Sequence, residues 1–337
     1  MNDTDMTERL PPEVANALAA ADLIDGTDAY VAERLAGGVS SDIWKVTAGS
    51  RVFCVKRALE QLRVAAEWHA PVERNAYEVA WCRVASEVAP GVAPEILLHD
   101  PAAGLCAMTY YPAGLYPLWK PELLAGRVDV AAAGKVGERM ARVHNGTAGR
   151  ADVVAQFDNE GFFAALRLEP YLEATAKVHD DLAGQLMGLS RRTAQTRRAM
   201  VHGDISPKNI LLGPDGPVFL DAECGCIGDP AFDVAFCLNH LYLKCVARPD
   251  VADDLMAAAT ALERAYFGAA SFEESEVLEA RIATLLPGLL LARIDGKSPV
   301  EYITQDADKD RVRAFARRHI AAATDRLATL RGEWNGD

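Results

Sequence analysis

Apolar residues recur at helical spacing over residues 12–24 (PEVANALAAADLI), which predicts a helix there. The pattern then changes to short β-prone runs, AYVAERL (29–35), SDIWKVTAG (41–49) and RVFCVKRAL (51–59), joined by GGVSS and an AGSR turn. Those runs predict three strands of a small antiparallel sheet. Helical periodicity returns over 73–89, with Tyr77, Trp81, Val84, Ala85 and Val88 on one face, so one helix is expected to pack on the sheet. EILLHD (95–100) and GLCAMTYY (104–111) are two further strand candidates, the second punctuated by the Pro and Gly of YYPAG. Beyond it the windows 129–146, 160–178, 180–198, 230–246, 251–267, 273–294 and 307–331 all carry helical spacing. The expected architecture is α+β and bilobal: a small β-rich lobe over 1–111, then a larger, mainly helical lobe over 112–337. Internal repeats and low-complexity tracts are absent from the sequence.

Composition narrows the function classes. The 337 residues are half apolar and a quarter charged, as in a globular enzyme with a sizeable core. A net charge of −13 argues against nucleic acid or anionic lipid as a partner, since both are held by neutralising Lys and Arg. The opening MNDTDMTERL has acids where an export signal has a basic region and an apolar core, so a cytoplasmic location is expected. IATLLPGLLLARI, from Ile282, is too short to span a bilayer, is interrupted by Pro287, and reads as a buried helix. Seven cysteines, an odd number scattered through apolar runs, read as reduced core thiols. Cys224 and Cys226 are too closely spaced for a zinc knuckle.

Chemistry concentrates in VHGDISPKNILLGPDGPVFLDAE, residues 201–223. Asn209 follows Asp204 by five residues, and Pro207 between them disfavours a continuous helix, so acid and amide can converge from a loop. A GPDG turn returns the chain as PVFLDAE and brings Asp221 and Glu223 to the same end. If both lie in a strand they share a face and can point at one cation. Oxygen ligands from Asn209, Asp221 and Glu223 suit Mg²⁺, which keeps few protein carboxylates beside phosphate oxygens and water. Asp204 is then left to orient or accept a proton. One carboxylate at a nucleophile and metal on phosphates is the division of labour for phosphoryl transfer to a hydroxyl.

H-G-D-x-x-x-x-N followed by an acidic strand end resembles the aminoglycoside phosphotransferase and choline kinase branch of the protein-kinase-like fold, over nearly the whole chain. The pair Asp221-Ala222-Glu223 is D-x-E where protein kinases have D-F-G, similar to the methylthioribose kinase group, in which both acids bind metal. The resemblance implies an ATP clamp in the small lobe. Lys56 matches the lysine on the α- and β-phosphates and Glu78 its ion-pair partner, with Glu73 the competing candidate. Gly37, Gly38 and Ser40 lie in the loop that would cover the phosphates, and Tyr110 and Tyr111 in the hinge that would meet adenine. Asp233 matches an aspartate that hydrogen-bonds the catalytic loop, while Asp229 before Pro230 reads as a helix N-cap. LARIDGKSPVEYI resembles the R-R-x-x-G segment that meets the sugar in methylthioribose kinases, with Arg293 present and Ala292 at the other arginine position.

Bland readings stand beside these. His202 is expected to be structural, His144 and His240 to be packed in the core, and the run RRTAQTRR (191–198) to form a solvated face. Lys208 is either a γ-phosphate contact or an exposed loop lysine. Trp119 is retained as a substrate-pocket candidate. The resulting expectation is a kinase that moves the γ-phosphoryl group of MgATP to a hydroxyl of a small acceptor, with a sugar-like acceptor favoured. Aminoglycosides and amino alcohols are the alternative acceptors, and a non-catalytic nucleotide-binding regulator is the alternative of another class. Few residues separate Asp221 from GDPAFD, which leaves no long activation segment to dock a peptide.

Overall fold

The computed structural model describes residues 7–26, 30–35, 41–59, 74–157 and 159–334. The candidates Gly37, Gly38, Ser40 and Glu73 lie outside the described residues.

Among the described residues six strands build the first lobe: β1 (Thr7–Glu8), β2 (Val31–Arg34), β3 (Ser41–Ala48), β4 (Arg51–Ala58), β5 (Ile96–Asp100) and β6 (Leu105–Thr109). They form one antiparallel sheet in the order β1-β2-β3-β4-β6-β5. At the β3–β4 hairpin Ala48 pairs with Arg51, and Gly49 takes the φ of +60° that such a tight turn needs at its first position. Strand alternation splits β4 between two faces. Phe53 and Val55 join the core beneath helix Pro12–Ala20, with Trp44, Val46 and Leu105. Cys54 and Lys56 face the other way, towards helix Arg74–Val88.

Helix Arg74–Val88 buries Trp81, Val84 and Ala85 as the spacing predicts, with Tyr77 and Val88 partly buried. Its buried face also holds Arg74, Asn75 and Glu78, whose polar side chains hide the face from hydropathy.

In the second lobe helix Pro230–Ala247 is the axis: every residue from Pro230 to Val246 is buried, so it is covered on all sides. Around it pack helices Val130–Thr147, Ala252–Ala269, Ser275–Asp295 and Asp306–Ala322. Asp229 caps the axial helix by accepting from Ala231 N at 3.0 Å, and Pro230 occupies the first helical position. Helix Ser275–Asp295 runs on through buried Pro287, because packing on both sides outweighs the lost hydrogen bond. The expected 307–331 helix divides where Ala323 takes a left-handed φ of 48°, and Leu327–Trp334 forms a separate helix. The 160–178 window is helical but wound as a π-helix over Ala164–Glu173, with Pro170 inside. Arg192, in the run expected to be solvated, instead donates to Thr284 Oγ1 at 2.7 Å.

The strand pair Ala199–Val201 and Cys226–Gly228, and the short helix Trp119–Leu124, have no counterpart in the sequence pattern as read. All seven cysteines are free thiols. Among the described residues no helix is long and apolar enough to cross a membrane.

Candidate active site

Two short β elements frame the catalytic loop. Strand Ala199–Val201 delivers His202 into the loop, and the hairpin Ile210–Gly213/Gly216–Phe219 carries the chain away and back to Asp221. The loop is anchored through its main chain. Asp233 Oδ2 accepts from His202 N at 2.7 Å, and Asp233 Oδ1 from Gly203 N at 2.8 Å. His202 donates from Nε2 to Leu220 O at 3.0 Å, while its Nδ1 accepts from Asp204 N at 3.2 Å. Burial lowers the pKa of His202, consistent with the neutral tautomer that this pair of bonds requires. Gly203 has a φ of +75°, and a Cβ there would lie 2.8 Å from Cys224 O, so only glycine fits.

Asp204 is buried and surrounded by donors. Its Oδ2 meets Arg167 Nη2 at 2.9 Å, Lys208 Nζ at 3.0 Å and Asn209 Nδ2 at 2.9 Å. Burial raises its pKa, but Arg167 and Lys208 outweigh that and hold the carboxyl below its usual range. All three donors meet one oxygen. Among the described residues no hydrogen bond reaches Oδ1.

Asn209 spends its amide nitrogen on Asp204, which leaves its carbonyl oxygen to face a cation. Asp221 and Glu223 do not lie in a strand: the strand ends at Phe219, Asp221 takes a φ of +66°, and Gly225 N closes a turn onto Ala222 O at 2.9 Å. The face-sharing argument therefore fails, and each acid is held by its own cation. Lys56 Nζ binds Asp221 Oδ1 at 2.5 Å, and Arg74 Nε donates to Glu223 Oε2 at 3.2 Å. Lys56 also binds Glu78 Oε2 at 2.8 Å. Burial would lower the pKa of Lys56, but Asp221 and Glu78 raise it well above the ordinary value. Burial and Asp221 push Glu223 up. Among the described residues no three His, Cys, Asp or Glu form a ready metal cluster. The donors present, one amide carbonyl and two carboxylates, are hard oxygens that fit a small divalent cation sharing its shell with phosphate and water.

The Phosphotransferase enzyme family model matches residues 31–281, about three quarters of the chain. The chain belongs to that family. A methylthioribose kinase of Yersinia pseudotuberculosis is 26% identical over 260 residues, which cover 68% of this chain and 62% of that protein. Solved structures share the fold. A choline/ethanolamine kinase family protein from Mesorhizobium loti matches with a TM-score of 0.55 and 22% identity, covering 92% of this chain and 98% of that one. An aminoglycoside phosphotransferase from Alicyclobacillus acidocaldarius matches at 0.53 and 15% identity, covering 100% and 99%. The architecture of this phosphotransferase is protein-kinase-like, with a sheet lobe and a helical lobe.

Other residues singled out by sequence sit at varied distances from this centre. Tyr110 and Tyr111 follow β6 and are half-buried, with Tyr111 against Tyr116 at 4.7 Å between ring centres. Arg293 Nη1 donates to Ser298 Oγ at 2.9 Å and lies against Tyr171. Trp119 is fully buried, its indole N–H without a partner among the described residues, in a helix packed on the Pro207–Asn209 turn. Arg167, in contact with Asp204, escaped the sequence reading. One arginine inside FFAALRLEPYLEA was the available signal.

Proposed function

We propose that this phosphotransferase is a small-molecule kinase that moves the γ-phosphoryl group of MgATP to a hydroxyl of a small, sugar-like acceptor. Residues 1–111 act as the nucleotide clamp and 112–337 carry the catalytic loop and acceptor site. The observation that carries this reading is Asp204, held as a carboxylate by three donors on Oδ2 with Oδ1 left over.

An acceptor hydroxyl bonds Oδ1 and is aimed at the γ-phosphorus. Its oxygen forms the new P–O bond as the bond to the β-phosphate oxygen breaks, ADP leaves, and the hydroxyl proton passes to Asp204 and on to solvent. A carboxylate this acidic accepts the proton late, which suits a loose transition state that asks little of a base. Lys56, kept cationic between Glu78 and Asp221, offers its charge to the α- and β-phosphates. Asn209, Asp221 and Glu223 would hold Mg²⁺, which offsets charge on the phosphates. Tyr110 and Tyr111 lie where the adenine edge would meet the hinge.

The test is ATP consumption with Mg²⁺ against methylthioribose, other small sugars, aminoglycosides and amino alcohols. Acceptor-dependent ADP release is expected, and Asp204→Asn should lower kcat by roughly 10²- to 10⁴-fold. Turnover indifferent to that substitution would refute the assignment of Asp204, and nucleotide binding without acceptor-dependent turnover would favour a regulator.

A further inference from the structure

Lys244 is the lone cation of the axial helix and is 1% exposed. Among the described residues no carboxylate lies within ion-pair distance of it; its Nζ rests 4.8 Å from the centre of the Tyr302 ring and 3.4 Å from His240 O. Arg293, one helix away, likewise has no carboxylate partner among the described residues, and its buried Nε is unsatisfied. Buried cations without counter-ions are costly and persist where something compensates them.

Both belong to one cationic region beside the catalytic loop. Arg167 and Tyr171 stand one turn apart on the π-helix: the first grips Asp204, and the second lies under Arg293, 5.6 Å from its guanidinium carbon. On the other side Lys208 contacts Asp204, and His240 feels Arg293, Lys244, Lys208 and Lys120 together. Two of these cations are already answered, Lys208 by Asp204 and Lys120 by Glu301 at 2.5 Å. Lys244 and Arg293 form no ion pair among the described residues; Glu301, held by Lys120, acts on both only from beyond ion-pair distance. A cationic acceptor would meet repulsion here, whereas an anionic one would supply the counter-charge that Lys244 and Arg293 lack.

The geometry points to an acceptor that bears an anionic group, a carboxylate or phosphate on a hydroxylated carbon skeleton, with Lys244 and Arg293 as its counter-ions and the hydroxyl turned to Asp204. This rests on the kinase reading and names its substrate class.

A matched series on one skeleton tests it: glucose, glucosamine, glucuronate and glucose 6-phosphate, assayed for ADP release with MgATP, with glycerate added as a small acid. An anionic member should be preferred, and Lys244→Met or Arg293→Met should raise its KM by about tenfold or more while the KM for ATP holds. The carboxylate and phosphate members identify which anion is taken. Turnover of glucose or glucosamine at least equal to that of every anion overturns the inference. If no compound is turned over, calorimetry of the same anions with MgADP present decides. Binding that is lost in Lys244→Met supports the anion site and counts against the kinase reading, and no binding at millimolar concentration overturns the inference while leaving the kinase reading intact. Lys244→Met should also raise Tm, which separates lost recognition from lost folding.

Discussion

A buried lysine with no counter-ion leaves a mark on stability as well as on binding. Burial, with Lys120 nearby, pushes Lys244 down from 10.5 to about 7. Between those values the unfolded chain holds a proton at this site that the folded chain does not. Stability therefore rises with pH across that window and is flat below it, where both states are protonated. The expected outcome is a Tm difference between Lys244→Met and the parent that is largest below pH 7 and shrinks towards pH 10, read by thermal melts across a pH series. Loss of the proton above pH 7 also removes a positive charge, so an anionic acceptor should bind more weakly as the medium becomes alkaline. Asp204, Asn209 and Lys56 were legible from sequence because each sits at a fixed spacing from a turn or strand. Arg167 was not, because its partner is 37 residues away and the two meet only through tertiary packing.

At the level of elements, close backbone approach keeps the catalytic lobe in register. Helices Val130–Thr147 and Ala252–Ala269 approach so closely at Gly137 that a Cβ there would lie 2.2 Å from Leu262 O. Gly137→Ala must separate the two helices, and it is expected to cost roughly 2 kcal/mol, measured as a drop in denaturation midpoint at unchanged slope. Periodicity predicted these helices well, since each has one broad buried face. It failed where local preference and tertiary demand part. Asp221 adopts a left-handed conformation that β-prone PVFLDAE does not announce, and Ala323 ends a helix in the manner usually reserved for glycine. The π-wound stretch around Arg167 keeps an apolar pattern close to that of an α-helix, so its changed winding, which brings Arg167 to Asp204, was invisible.

For the molecule as a whole, the two lobes share an apolar core through Trp81, Val84 and Val92, and charge adds links across it. Lys56 belongs to the sheet lobe and Asp221 to the helical one, and Arg74 with Glu223 makes a second link of the same kind. Lys56→Met would leave Glu78 buried and Asp221 half-buried without their cation, at an expected cost of roughly 3 kcal/mol, seen as a lower Tm. Adding Glu78→Leu should recover part of it, because one of the stranded charges is removed as well. The chain carries −13 overall, yet Arg293, Lys244, Lys208 and Lys120 all bear on His240. The Asp233 anchor has a separate consequence. It grips the main chain of His202 and Gly203, and every residue but proline offers that same N–H. These two bonds hold the main chain of the loop without drawing on the Asp204 side chain. A protein carrying Asp204→Asn keeps the Asp233 grip on His202 and Gly203, while Arg167 and Lys208 lose the carboxylate they share.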